Sequence, residues 1–223
     1  MKDHIIIAID GPAGSGKSTI ARNIAQIMNL LYIDTGAMYR AITYCVLLQK
    51  IDVHNKKKVN DLLLNIQLIL KKNEQNSIDI YLNNHRLTGE LRGHEVEKNV
   101  SLISSYKKVR EYLVQKQRTL SQDYDVILDG RDIGTVVFPN TKYKFYLDAS
   151  AEERARRRFH DKKAEKGLSI GEIKDEIIRR DEFDKNREIS PLKKAEDAVY
   201  LDTTQMNIEE VSQFILEKIR KLS

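Results

Sequence analysis

The chain has 223 residues, enough for one sizeable core and a small appendage. Charged residues make up 32% and hydrophobic ones 41%, and no apolar run approaches the ~20 residues of a membrane span. A single cysteine, Cys45, excludes an internal disulfide and any cysteine-based metal cluster, and the net charge of +5 raises the question of a polyanionic partner.

The start, Met1-Lys2-Asp3-His4, runs directly into an apolar segment over residues 4–10, so no signal peptide is expected and the cytoplasm is the expected compartment. That segment reads as a buried strand. It is followed by Gly11, Pro12, Ala13, Gly14, Ser15, Gly16, Lys17, Ser18 and Thr19, which fit G-x-x-x-x-G-K-[ST]. Ile20, Ala21, Ile24, Ala25, Ile27 and Met28 then recur at helical spacing. A glycine-rich loop between a strand and a helix N-terminus turns backbone N–H groups toward a phosphate; Lys17 adds a full charge, and Ser18 is placed to ligate Mg²⁺.

A second strand over 31–33 leads into Asp34-Thr35-Gly36-Ala37-Met38-Tyr39-Arg40 and a helix over 37–49, with Cys45 in its apolar part. A hydroxyl, a ring and a guanidinium at one strand end suit a second ligand beside the phosphate loop. The same residues also fit a helix capped by Thr35 with Tyr39 in the core and Arg40 in solvent. Lys56-Lys57-Lys58 reads as a short solvated run. Residues 77–82 and 85–88 around Asn83-Asn84 read as a β-hairpin, so 65–92 is expected to be an inserted subdomain of two or three strands, within a core of 1–64 and 93–223.

Beyond it, helices are expected over 107–121, 151–166, 170–187 and 207–221, and strands over 126–128, 144–147 and 199–201. With the first two strands these make a five-stranded parallel sheet with helices on both faces, whose polar strand ends mark the ligand edge. Asp129-Gly130-Arg131-Asp132 follows the third of these strands; it fits a ligand site, with Arg131 for phosphate and two carboxylates as hydrogen-bond acceptors or partners of Mg²⁺-bound water, or a tight turn with an internal Arg–Asp pair. Seven of the 15 arginines lie between residues 151 and 187 among ten acidic residues, which argues for localised phosphate handling and against a nucleic-acid surface. Arg180, Asp184 and Arg187 share one helical face, and Arg154, Arg157 and Arg158 another. Taken singly either set reads as surface ion pairs, a reading that loses weight beside a phosphate loop with charge to balance.

These motifs resemble, in order and over almost the whole chain, the bacterial cytidylate kinases of the nucleoside monophosphate kinase superfamily. The matching pieces are residues 9–19, 34–40, 89–92, 109–111, 129–139, 147–154, 180–181 and 186–187, of which Gly130-Arg131-Asp132-Ile133-Gly134-Thr135-Val136-Val137-Phe138-Pro139 is the most specific. The resemblance implies an α/β P-loop NTPase fold with an Arg-rich lid over about 151–170 and a monophosphate-binding insert. It implies transfer of the γ-phosphoryl of ATP to CMP or dCMP, with Mg²⁺, by a monomer that binds neither nucleic acid nor membrane. Residues 11–19 would hold ATP. Thr35, Arg110, Asp132 and Arg187 would surround the cytosine, Ser101, Arg180 and Asp184 the sugar, and Arg40 and Arg131 the acceptor phosphate, with Tyr39 beside them. Lys17, Arg131 and the lid residues Arg154, Arg157 and Arg158 would serve the transfer. Thr35 stands where many relatives have serine; Phe183 and Lys185 stand where some have arginine and receive no role. Other readings differ in kind: a kinase for UMP or a small metabolite, a GTPase or RNA-driven ATPase, or a regulator without turnover. No N-K-x-D guanine-reading element is present.

Overall fold

The computed structural model describes residues 4–161 and 169–222. The first strand, β1 (Ile6–Asp10), runs through the glycine loop into α1 (Lys17–Met28). Then follow β2 (Leu31–Asp34), α2 (Thr35–Leu48) and α3 (Lys56–Leu62). A three-stranded antiparallel sheet comes next, from β3 (Leu68–Lys72), β4 (Ile78–Leu82) and β5 (His85–Leu87), closed by a 3-10 turn over Gly89–Arg92. The chain continues through α4 (His94–Ser104), α5 (Lys107–Asp123), β6 (Val126–Gly130), β7 (Tyr143–Asp148), α6 (Ala151–Asp161), α7 (Ile170–Asn186), β8 (Val199–Asp202) and α8 (Ile208–Leu222).

The expected five-stranded parallel sheet is present, in the order β2-β6-β1-β7-β8. Its strands β1 and β6 read as unbroken apolar runs up to their C-terminal ends because helices cover both faces. On one face Ile20, Ala21 and Ile24 of α1 pack with Val211, Ile215 and Ile219 of α8 over Ile7, Ile9 and Phe145. On the other, α2, α4 and α5 pack over Ala8, Ile33 and Leu128. The small sheet joins this second core through Leu68, Ile80, Leu82 and Leu87. Its β3–β4 turn also bonds to the main sheet: the Tyr32 amide donates to the Asn76 carbonyl (2.8 Å).

Several local expectations shift. Ile27 is 57% exposed, so the buried stripe of α1 runs through Ile20, Ala21, Ile24 and Ala25 without it. Helices α3 and α4 arise where none was expected. The lysine run opens α3, capped by the Asn55 side chain accepting from the Lys58 amide (3.1 Å), while Val59 and Leu62 supply its buried face. Helix α2 is capped by Asp34, whose carboxylate accepts from the Ala37 amide (2.7 Å), and not by Thr35. Of the lid segment, residues 162–168 lie outside the described residues. Cys45 is buried, as expected. Among the described residues no helix is long and apolar enough to cross a membrane.

Candidate active site

All five strands of the main sheet end on polar or glycine residues along one edge: Asp10, Asp34, Gly130, Asp148 and Asp202. Two cavities open there. One, of about 770 Å³, lies over the loop and start of α1 and is walled by Glu153, Arg157, Thr203, Met206 and Asn207. The other, of about 170 Å³, lies between α2, α4, α5, α7 and the end of β6. Gly14, Lys17, Ser18 and Arg158 line both, so the cavities meet at the loop's lysine.

The loop conformation is set by packing. Gly11 has φ of 149°, and a Cβ there would lie 2.0 Å from the Leu147 carbonyl oxygen of β7, so only glycine fits. Lys17 is buried; its Nζ donates to the Pro12 carbonyl (2.5 Å) and to Ser15 Oγ (3.1 Å). Burial, reinforced by the Arg131 cation, pushes its amine down to about 7 against the pull of Asp129, Asp181 and Asp10. Ser18 Oγ donates to Asp129 Oδ2 (2.7 Å), and Asp129 also accepts from the Tyr32 hydroxyl (2.8 Å). Burial and then Asp34 push the Asp129 carboxyl up. Asp10 braces the turn after β6, accepting from the amides of Ile133 (2.8 Å) and Gly134 (2.7 Å).

The ten residues expected to contact an acceptor all line the smaller cavity: Thr35, Tyr39, Arg40, Ser101, Arg110, Arg131, Asp132, Arg180, Asp184 and Arg187. Their ion pairs cross between elements. Arg110 of α5 pairs with Asp132 and lies over the Tyr39 ring, 5.3 Å from its centroid. Arg131 Nε donates to Asp184 Oδ2 of α7 (3.1 Å). The segment 129–132 is therefore not a turn closed by its own Arg–Asp pair. Thr35 Oγ1 donates to the Asp129 carbonyl (2.6 Å), and Arg40 Nη2 pairs with Asp34 (3.1 Å). Arg187 is the first residue past α7, with extended backbone, so the helical face stops at Asp184. Arg187 still reaches the cavity, 3.8 Å from both Asp132 and Asp184.

The cavity carries more positive charge than negative. Arg40, Arg110, Arg131, Arg158, Arg180, Arg187 and Lys17 line it against Asp34, Asp129, Asp132 and Asp184. Burial, and then mainly the nearby Arg131, push the Arg180 guanidinium down to about 10, and its buried Nε has no hydrogen-bond partner. The Nε atoms of Arg40 and Arg110 are likewise buried without partners. Crowded, underused donors of this kind make a receptor for an anion.

The three lid arginines part company. Arg157 walls the larger cavity and donates to Thr203 Oγ1 (3.1 Å) and the Thr203 carbonyl (2.5 Å). Arg158 lies between the cavities and pairs with Glu97 (2.7 Å) and Glu176 (3.4 Å). Arg154 lines neither cavity; it turns behind the loop. None of the five histidines lines either cavity. Phe183 and Lys185, left without a role, are exposed. The sequence offered Asp129 as one of two carboxylates at a strand end but the family resemblance gave it no role, and the segment 203–209 was missed. Their signals were an aspartate closing the apolar run Val126-Ile127-Leu128 and the position of 203–209 just past a strand's ligand-side end.

The cytidylate kinase family model matches residues 7–221. The chain belongs to the cytidylate kinase family. It is 46% identical to a cytidylate kinase of Halalkalibacterium halodurans over 96% of this chain and 97% of that one. It is 48% identical to a cytidylate kinase of Fusobacterium nucleatum subsp. nucleatum over 99% of each. A shikimate kinase structure from Acinetobacter baumannii superposes with a TM-score of 0.47 at 15% identity, covering 98% of this chain and 94% of that one. As a cytidylate kinase family member, the chain has both cavities at this edge of the sheet lined by segments that the family model spans.

Proposed function

We infer that the chain is an ATP-dependent nucleoside monophosphate kinase that transfers the γ-phosphoryl of ATP to CMP or dCMP, giving ADP and CDP or dCDP. The observation that carries the reading is the meeting of two cavities at Lys17, with a phosphate-binding loop on one side and an arginine-rich pocket on the other. ATP enters the larger cavity, its base beside Arg157 and Met206 and its phosphates on residues 11–19. The monophosphate enters the smaller one, its phosphate toward Arg40 and Arg131, its sugar toward Ser101, Arg180 and Asp184, and its base toward Thr35, Arg110, Asp132 and Arg187. Residues 65–92 act as the insert on the monophosphate side. The protein works as a cytoplasmic monomer on free nucleotides.

Transfer brings two anions together, so the chemistry rests on positioning and charge. Lys17 and Arg131 offset the repulsion, and Arg158, between the cavities, is placed to span both phosphate chains. No general base is required, because a phosphate monoester has a second pKa near ~6 and presents a deprotonated oxygen at neutral pH. Ser18 and Asp129 offer hard oxygens, and among the described residues no cluster of three or more His, Cys, Asp or Glu side chains could hold a metal. That donor set fits Mg²⁺, which takes few protein ligands and completes its shell with water and phosphate. When bound there it would neutralise charge on the β- and γ-phosphate oxygens.

Base selection follows from hydrogen-bond polarity. The Thr35 hydroxyl spends its proton on the Asp129 carbonyl, so toward a base it can only accept. Asp132 also only accepts when ionised. Cytosine offers an amino donor at N4 where uracil offers an acceptor at O4, so uracil meets acceptor against acceptor.

The direct test is ADP release from Mg-ATP with a panel of monophosphates. Turnover with CMP and dCMP well above UMP, AMP and no acceptor supports the reading; acceptor-independent or RNA-dependent hydrolysis overturns it. In the same assay Asp184→Ala raises the acceptor's KM about tenfold or more, because Arg131 loses its partner in the acceptor cavity. The KM for ATP stays nearly constant. A rise for ATP alone assigns this face to the donor.

A further inference from the structure

We propose that Asp181 and Arg154 are positioning residues for phosphoryl transfer, which hold the donor loop by the backbone of Ala13 at a fixed place relative to the acceptor-binding helix α7. The proposal rests on the phosphotransferase reading above.

Ala13 lies in the loop, and both of its backbone polar groups are taken by side chains from outside it. Its N–H donates to Asp181 Oδ1 (3.0 Å), and its carbonyl accepts from Arg154 Nη1 (2.9 Å). The same guanidinium donates through Nε to the Ala149 carbonyl (2.8 Å) and pairs with Asp181 Oδ2. All three residues are buried: Ala13 is 4% exposed, Asp181 3% and Arg154 7%. The packing is close as well. Gly14 has φ of 76°, and a Cβ there would lie 3.2 Å from the Arg154 carbonyl oxygen, so the loop rests directly on α6.

The connection matters because of where α7 goes next. Asp181 is flanked on the same helix by Arg180 and Asp184, both lining the acceptor cavity. One rigid helix thus grips the donor loop with one residue and faces the acceptor with its neighbours. Ion pairs across a surface contribute little, but this pair is buried and bonded to backbone at both ends. In-line transfer is sensitive to ångström displacements, and a ~1 Å misplacement can cost about 10²-fold. Arg154 touches neither cavity, so it acts through Ala13 and Asp181 and not on the phosphates. This sets it apart from Arg157 and Arg158, with which sequence alone grouped it.

The experiment uses Asp181→Ala, Asp181→Asn and Arg154→Lys in the full chain. Each is assayed well below its own Tm, with kcat and both KM values scaled to folded protein. The expected result is a kcat lower by roughly ten- to a hundredfold with the CMP KM within about twofold of wild type. Faster hydrogen exchange at the Ala13 amide should accompany it. Asp181→Asn keeps an oxygen for that amide but sets its NH2 against the Arg154 guanidinium, losing the ion pair and its hydrogen bond, so its kcat lies between wild type and Asp181→Ala. It also remains informative if Asp181→Ala does not fold. Arg154→Lys keeps the charge but not the fork that reaches Ala13 and Ala149 together, and shows the same kcat loss. Wild-type kcat in folded Asp181→Asn and Arg154→Lys overturns the proposal and leaves a structural cross-link. So does a loss that falls on the CMP KM alone. If the wild-type chain makes no ADP with any monophosphate, the functional reading fails on its own. The clamp is then judged by the Ala13 amide and by Mg-ATP affinity, which must both change in Asp181→Ala or, if that variant does not fold, in Arg154→Lys for it to stand.

Discussion

Replacing Lys17 with alanine lowers kcat by about 10²–10³-fold while leaving the fold intact. Lys17 is the one basic side chain among residues 11–19, and it lines both cavities where they meet. A charge developing on the transferred group at that point would face Lys17, which is itself buried. The fold does not depend on it. The buried amine is pushed down to about 7, which means that its charge is held at a cost in the free protein. Its two bonds, to the Pro12 carbonyl and Ser15 Oγ, are local to the loop. Thermal unfolding of Lys17→Ala therefore comes at the same temperature as wild type or above it. Steady-state assays with Mg-ATP and CMP check the first part. A folded variant within about threefold of wild-type kcat would remove Lys17 from the chemistry.

Asp132→Ala narrows the CMP-to-UMP ratio of kcat/KM by roughly ten- to a hundredfold, the equivalent of about 1–3 kcal/mol for a contact to a base edge. Most of the change is lost CMP activity. Asp132 is paired with Arg110 and faces Arg187, all three buried. Alanine leaves two buried cations without their shared partner, so the variant is also destabilised by about 3–5 kcal/mol. Stability and specificity therefore have to be measured separately. Asp132→Asn separates them further: it keeps the shape, and its amide can offer an N–H to the uracil carbonyl. The asparagine variant should raise UMP turnover relative to CMP more than the alanine variant does. Equal losses for both substrates, with the ratio unmoved, would mean that Asp132 serves Arg110 alone and that selection lies with Thr35 and its neighbours.

Much of this architecture was legible because its signals are local. A strand, a glycine loop and a helix in direct succession announce a phosphate site, and each strand of the main sheet ends its apolar run on a polar or glycine residue. The acceptor residues could be gathered from the family resemblance, and all ten meet in one cavity. What sequence could not give is where a long side chain turns. Arg154, Arg157 and Arg158 fall within five positions of one helix, yet they face the back of the loop, the larger cavity and the space between the two. Arg187 looked like a continuation of the helical face of Arg180 and Asp184, but the helix had already ended. Helix α4 escaped because its polar turns, rich in Glu, Lys and Asn, mask the few buried positions Val96, Val100 and Ile103. Ion pairs between distant segments, such as Arg110 with Asp132, belong to the tertiary structure and have no signature in spacing.

The stitch between Tyr32 and the β3–β4 turn also bears on how the molecule avoids sticking to itself. A parallel sheet has two rims, each a row of backbone groups open to another chain. At β2 part of that row is already occupied by the Asn76 carbonyl and the bridge to Ser77. The opposite rim is β8, four residues long, with Tyr200 and Asp202 outward. Brevity and an outward carboxylate both discourage strand addition there. The appended small sheet thus covers part of the one edge of the main sheet that lies beside the smaller cavity.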